Sequence, residues 1–357
     1  MNFIPHSAST LGPLEAAAAQ EVVTRNFAGY GPQAEGLEDL FKRRTGCLHA
    51  FAVKSGHHAL ALAVRALDLP PASDIVLPVL TCPSVAAAVV GAGHRCRLVD
   101  VREDLTTDAA LIGAGAAAII APHAYGAPVD VAALTKTGLP WIEDCATSPA
   151  TEIVGKPAGT FGTIAIFSLG STKYITGGGG GVLVTDNDSI AARVADLLDY
   201  DRAETIGDWS GEVPAALPGR LADLNAAVAK VQFERLSEFA SRRRVIAGLY
   251  DEVLTRAPQV EVAPACSGHS YYRYIVKTAS LSASLAAQLR ECGIDARVSV
   301  NPWLDVPRFT GTEFLPGAFP IADRWREHLL SLPIYPRLQD ADARFIAARL
   351  QDIASRA

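Results

Sequence analysis

Paired cysteines, long apolar runs, basic blocks and internal repeats are all missing from this chain of 357 residues. The six cysteines, Cys47, Cys82, Cys96, Cys145, Cys266 and Cys292, are scattered and form no CxxC pair. That excludes a zinc ribbon and a disulfide framework, and it leads us to expect a reducing, cytoplasmic compartment. The longest uncharged apolar stretch, residues 109–122, falls short of the ~20 residues a membrane span needs. The first ten residues, MNFIPHSAST, have neither a basic start nor an apolar core, so no secretory signal is expected. A formal net charge of −6 with a single basic run, Arg242 to Arg244, gives no electrostatic footprint for nucleic acid.

What is present is ordinary globular composition, 49% hydrophobic and 20% charged, at a length that predicts two domains. Short apolar runs at 49–54, 74–77, 96–99, 116–121 and 140–143 alternate with helical stretches, which is how βαβ units read. In the first helical stretch, Leu60, Ala63, Val64 and Leu67 recur at i, i+3, i+4 and i+7 and point one stripe at a sheet. Two further strand-like runs, 163–167 and 181–185, flank a long loop rich in Ser, Thr and Gly. A helical pattern over 221–254 follows, then a strand at 271–277, a helix at 282–292, a strand at 296–300 and helices around Ala322 and Ala341. The reading is α/β, with a mostly parallel seven-stranded sheet in a large domain, 1–240, and a small α/β domain, 241–357.

Four segments place polar groups at strand ends, where open α/β sheets build their sites. Lys54-Ser55-Gly56-His57-His58 precedes the first amphipathic helix. It reads as an anion site at a helix start or as a tight turn with a Ser cap. In Trp141-Ile142-Glu143-Asp144 one carboxylate fits either a heterocyclic nitrogen or a helix cap. Lys173 is the only basic residue between Lys156 and Arg193 and sits among apolar, hydroxyl and glycine residues. That company favours a partly desolvated amine with a lowered pKa, fit for a Schiff base, while a surface lysine on a loop stays open. Arg220, before the long helix, is either an anion-binding guanidinium or a solvated one. Gly113 and Gly115 precede a strand and lack a third glycine, so a dinucleotide fingerprint is set aside. His57, His58, His123 and Asp144 are set aside as metal ligands, because neighbouring residues at a helix start point in different directions.

In chain order, these segments resemble the DegT/DnrJ/EryC1/StrS family of pyridoxal-phosphate-dependent sugar aminotransferases over nearly the whole length. Ser55-Gly56-His57-His58-Ala59-Leu60 stands for the family's Ser-Gly-Thr-x-Ala-Leu, and Pro78-Val79-Leu80-Thr81 for its Pro-x-x-Thr. Val99-Asp100, His123-Ala124-Tyr125-Gly126, Glu143-Asp144 and Phe167-Ser168 with Lys173 follow, and Ser331-Leu332-Pro333 looks like its late Leu-Pro segment.

The resemblance implies fold type I of the pyridoxal-phosphate enzymes, with the cofactor in the large domain. It implies Lys173 as the lysine that binds the cofactor and shuttles a proton, and Asp144 as the partner of the pyridine nitrogen. Ser168, Gly56 and His57 would hold the phosphate, with Thr147 and Cys82 near the ring and Arg220 on the substrate. A homodimer and an amino-acid donor, glutamate first, come with it, and the acceptor is a keto-sugar nucleotide. A retained lysine argues for amino transfer, since family dehydratases carry histidine there. This sequence departs from the pattern at His57 (family Thr), Thr147 (Gln), Cys82 (an aromatic), Pro218 (Asn) and Gly179 (Glu). These departures motivate two further readings: the same chemistry on another keto compound, such as a cyclitol or natural-product intermediate, and a catalytically quiet regulatory homologue.

Overall fold

The computed structural model describes residues 3–199, 217–262, 266–298 and 318–356. Its strands are β1 (His49–Val53), β2 (Asp74–Pro78), β3 (Arg95–Val99), β4 (Ala118–Pro122), β5 (Trp141–Asp144), β6 (Glu152–Ile153), β7 (Lys156–Pro157), β8 (Ile164–Ser168), β9 (Gly181–Thr185), β10 (Val260–Val262), β11 (Tyr274–Thr278), β12 (Arg297–Val298) and β13 (Leu329–Leu332). The helices are α1 (Pro13–Thr24), α2 (Pro32–Thr45), α3 (Gly56–Ala66), α4 (Pro83–Gly91), α5 (Val131–Lys136), α6 (Asp188–Leu198), α7 (Asp223–Glu234), α8 (Leu236–Leu254), α9 (Ser282–Glu291), α10 (Pro320–Trp325) and α11 (Asp340–Ala354).

Seven strands form one sheet in the order β1-β9-β8-β5-β4-β2-β3, and only β9 runs against its neighbours. Alternate residues of a strand face opposite ways, so a sheet covered on both sides needs apolar residues at every position. In β8, Ile164 and Ile166 pack beneath α3, while Ala165 and Phe167 pack on the other face with Phe41 of α2 and Ala226 of α7. The inner strands β4, β8 and β9 therefore read as nearly unbroken apolar runs, whereas β3, at the edge of the sheet, carries Arg95 and Arg97. A second, antiparallel sheet has the order β10-β11-β13-β12, and it is closed over by α8, α9 and α11.

Three details differ from the sequence reading. The helical pattern over 221–254 is two helices, α7 and α8, because Arg235 leaves helical geometry at φ −90°, ψ 5°. The strand expected from residue 271 begins at Tyr274, since Tyr271 sits at φ 54° and cannot extend a ladder. Residues 329–332, read only as a Leu-Pro segment, form β13 at the middle of the second sheet. Of the expected strand at 296–300, Arg297 and Val298 pair with β13, and 299–300 lie outside the described residues. The expected domain boundary at 240 falls inside α8, between the two sheets in sequence. Among the described residues, no helix is long and apolar enough to cross a membrane.

Candidate active site

The parallel strands deliver their polar ends to one edge of the large sheet, the edge at which α/β sheets bind ligands. Asp144 closes β5, Ser168 closes β8, His123 follows β4, and the chain after β2 runs through Leu80 and Thr81 to Cys82, the N-cap of α4. A cleft of about 340 Å³ opens there. Lys173, Asp144, Thr147 and Cys82 line it from the large sheet; His6, Tyr272, Arg273 and Arg297 line it from elsewhere in the chain.

Glu143 and Asp144 are adjacent on β5 and so face opposite ways. Glu143 points into the protein, fully buried, and accepts from His123 Nε2 at 2.9 Å and from the amides of Gly159, Phe161 and Gly162 at 2.7, 2.9 and 2.9 Å. Burial alone would raise its pKa, but the His123 hydrogen bond and the backbone donors outweigh it and hold the carboxyl below its usual value. His123 Nδ1 accepts from the Val129 amide at 3.1 Å, so the proton sits on Nε2, the atom that donates to Glu143. Glu143, His123 and Cys145 gather atoms within 4.8 Å of one another as metal ligands would. The first two are already spent on protein partners, and burial drives the Cys145 thiol pKa well up, away from the thiolate a metal needs.

The Glu143 cage makes a prediction. Glu143→Gln puts an N–H₂ where four donors converge, leaving a buried donor opposed. The loss expected is about 2–3 kcal/mol of stability, read by urea unfolding; an unchanged midpoint would show that the cage contributes nothing.

Asp144 points at the cleft. Its Oδ1 accepts from the Ala146 amide at 2.9 Å, and no described donor engages Oδ2. Burial raises its pKa, opposed by the Ala146 amide and by the positive field of Lys173. The carboxylate thus lacks one partner, and a cation in the cleft would supply it.

Lys173 stands on a loop that is pinned at both ends. Leu169 N donates to Gly180 O at 2.8 Å, Gly177 N to Leu169 O at 3.0 Å, and Lys173 N to Gly170 O at 3.0 Å. Its neighbour Tyr174 is buried, donates to Ser270 O at 3.0 Å and lies under the Arg243 guanidinium. The Lys173 side chain is half-buried, with Nζ 5.9 Å from the Tyr272 ring centroid, and it lines the cleft.

Gly56 and Ser168 meet. A Cβ added at Gly56 would lie 2.6 Å from Ser168 Cβ and 2.7 Å from its Oγ, so only glycine lets the start of α3 approach the end of β8 this closely. Ser55 caps α3 by accepting from His58 N at 3.0 Å, and the first amides of the helix have no acceptor within it. Gly181, in the glycine run, serves the same approach, since a Cβ there would meet the Ser55 carbonyl carbon at 2.6 Å. His57 is exposed and donates from Nδ1 to Ser84 O at 3.2 Å, so it offers this site its amide rather than its ring. His58 is the buried one; burial, then Lys54, bring its pKa down to about 4.

Thr147 and Cys82 line the cleft with part of their polarity already used. Thr147 Oγ1 donates to His123 O at 3.2 Å, and Cys82 Sγ accepts from Ser84 Oγ at 3.1 Å. Arg220 is not among the residues lining the cleft. It is paired through two nitrogens with Asp199, Nε to Oδ1 at 2.8 Å, and its guanidinium lies 4.6 Å from the Tyr30 ring centroid. The reading of the sequence missed His6, Tyr272, Arg273 and Arg297. They come from the amino-terminal segment and the second sheet, and only the aromatic run Tyr271-Tyr272 beside Arg273 gave any signal.

Comparison with known proteins shows the family and the fold. Residues 10–351 match the model of the DegT/DnrJ/EryC1/StrS aminotransferase family. A dTDP-4-dehydro-2,3,6-trideoxy-D-glucose 4-aminotransferase of Saccharopolyspora spinosa is 32% identical, over 96% of this chain and 94% of that protein. The crystal structure of the aminotransferase TlmJ from Streptoalloteichus hindustanus superposes with a TM-score of 0.90 at 28% identity, covering 99% of this chain and all of the other. S. venezuelae DesV, solved in complex with a ketimine intermediate, also gives 0.90, at 26% identity over the whole of both chains.

Proposed function

The chain belongs to the DegT/DnrJ/EryC1/StrS aminotransferase family, a pyridoxal-phosphate-dependent enzyme by that membership, and from this premise we propose that it transfers an amino group from glutamate to the keto carbon of a nucleotide-linked sugar. The observation that carries the reading is the presence of Lys173 and Asp144 in one cleft, beside the close approach of Gly56 to Ser168.

These residues fit pyridoxal phosphate. The half-partnered Asp144 carboxylate suits a protonated ring nitrogen, and the Gly56–Ser168 contact at the start of α3 suits a phosphate, with hydroxyl and amide donors and room that no Cβ would leave. When bound, the cofactor supplies an aldehyde and a ring that draws electrons from a deprotonated carbon. Asp144 would hold the proton on the ring nitrogen, and burial would strengthen that hold because it leaves the carboxylate short of water. Lys173 Nζ would hold the cofactor through its aldehyde, and the same amine would move a proton to and from the substrate carbon. Tyr174 and Tyr272 keep that amine at the cleft by tying its loop to the segment before β11.

The name of the Saccharopolyspora relative supports a dTDP-linked 4-keto sugar as the first acceptor to try. Another keto compound, such as a cyclitol, is the second reading, favoured because Arg220 is spent on Asp199. We also read the enzyme as a cytoplasmic homodimer. All six cysteines are free thiols, and Leu11, Leu14, Val23 and Phe27 stand exposed within one short stretch that suits a partner surface.

The test is turnover. Holoenzyme supplied with glutamate and a dTDP-4-keto-sugar is expected to give the amino sugar and 2-oxoglutarate, in a particle of twice 37.6 kDa by light scattering. Consumption of glutamate without any amino sugar, across a panel of such nucleotides, would shift the assignment to the second reading.

A further inference from the structure

The guanidiniums that line the cleft are not equivalent. Arg297 gives Nε and Nη2 to Asp295 Oδ2 at 3.2 and 2.8 Å, and Arg290 takes the other oxygen of that carboxylate at 2.7 Å. Arg273 has no carboxylate partner among the described residues. It is half-buried, and it is nevertheless fixed. Its Cζ lies 4.6 Å from the Tyr272 ring centroid, Nη2 donates to Tyr272 Oη at 3.4 Å, and Nη1 donates to His6 Nδ1 at 3.0 Å.

His6 is built to accept that bond. Ile4 is stitched to the second sheet, its amide donating to Gly293 O at 2.8 Å and its carbonyl accepting from Asp295 N at 2.9 Å. His6 Nε2 donates to Ser331 Oγ at 2.9 Å, which leaves Nδ1 unprotonated to face Arg273. Burial, then the charges of Arg273 and Arg297, bring the His6 pKa down to about 3, so the ring stays neutral and does not satisfy the guanidinium's charge. The same Tyr272 ring neighbours Lys173 Nζ. A fixed, half-desolvated guanidinium without a counter-ion, sharing a ring with the reacting amine, is a vacancy for a planar anion.

We propose that Arg273, held between Tyr272 and His6, binds a carboxylate of the amino donor. This rests on the aminotransferase reading and adds to it a specificity-determining residue from the second sheet. An α-amino acid carries its carboxylate one carbon from the reacting nitrogen, and glutamate carries a second within a few bonds, so a cation close to Lys173 selects such donors over simple amines.

The experiment uses holoenzyme variants Arg273→Gln and Arg273→Lys. L-Glutamate is titrated without acceptor while the cofactor absorbance is followed; glutarate and dTDP are titrated by calorimetry. Arg273→Gln is expected to weaken glutamate and glutarate roughly 10- to 100-fold, Arg273→Lys less, as loss of a charged fork predicts, with dTDP binding unmoved. Weakened dTDP with unchanged glutamate would overturn the assignment, because the anion would then be the nucleotide's phosphate. Equal weakening of all three, or of none, would overturn it too. If Arg273→Gln does not fold, Arg273→Lys still reads out, since it keeps the charge and loses the fork. A wild-type holoenzyme indifferent to every amino acid would bring down the aminotransferase substrate reading together with this one; a wild-type response that ignores Arg273 brings down this one alone.

Discussion

Lys173→Ala is expected to lower the rate of amino transfer at least about 10³-fold, within the range for removing a positioned proton-transfer group, and to abolish covalent trapping of the cofactor. Borohydride reduction of the wild-type holoenzyme should leave the cofactor's mass on the peptide that contains Lys173, and none on the variant. The loss would be chemical and not a consequence of misfolding. The half-buried Lys173 side chain makes one ring contact at 5.9 Å, while the loop itself is held by backbone bonds and by Tyr174. Circular dichroism and thermal midpoint are therefore expected to match wild type. A variant that keeps a tenth of the activity would sink the assignment of the reacting amine.

The second large effect separates stability from activity at one residue. Asp144→Asn keeps an oxygen to accept from the Ala146 amide and removes the charge. In the protein without cofactor, burial raises the Asp144 pKa above its ordinary 3.8. The sign follows directly. A carboxyl whose folded pKa is raised contributes stability that is complete below the unfolded value and is lost as pH rises through the folded one. Above its folded pKa the carboxyl is thus a burden on the empty protein, and Asp144→Asn is expected to melt no lower than wild type there, with the difference closing as pH falls toward the ordinary carboxylate range. In the holoenzyme the same change breaks a buried ion pair, which typically costs about 3–5 kcal/mol, or roughly two to four decades in cofactor affinity or rate. Scanning calorimetry of the two apoproteins and steady-state rates of the two holoenzymes check both halves. A variant both less stable when empty and fully active when loaded would contradict the role given to Asp144.

Much of the frame was legible in the chain. Short, mainly apolar runs mark the strands, and all seven strands of the large sheet overlap the runs read from the sequence, although the edge strand β3 carries two arginines. Asp144 and Ser168, singled out from the motifs, lie at the ends of β5 and β8, Lys173 lies on the loop after β8, and the fold brings Lys173 and Asp144 to one cleft. The break between α7 and α8 was invisible, because an apolar stripe continues through Arg235 while only its backbone angles leave the helix. The division of labour between Glu143 and Asp144 was half legible. Alternation says that adjacent strand residues face apart, but not which face holds four donors and which opens on a cleft.

The sequence by itself determined the elements and the chemistry of the large-sheet wall, since apolar periodicity, strand-end polarity and motif spacing are local properties of the chain. Only the tertiary structure decided the opposite wall and the fate of Arg220. His6 meets Arg273 across 267 residues of chain, and Arg220 turns to Asp199 and Tyr30. The physical reason is that a charge's partner is set by distance in space, where Coulomb attraction and desolvation act, and separation along the chain carries no record of it.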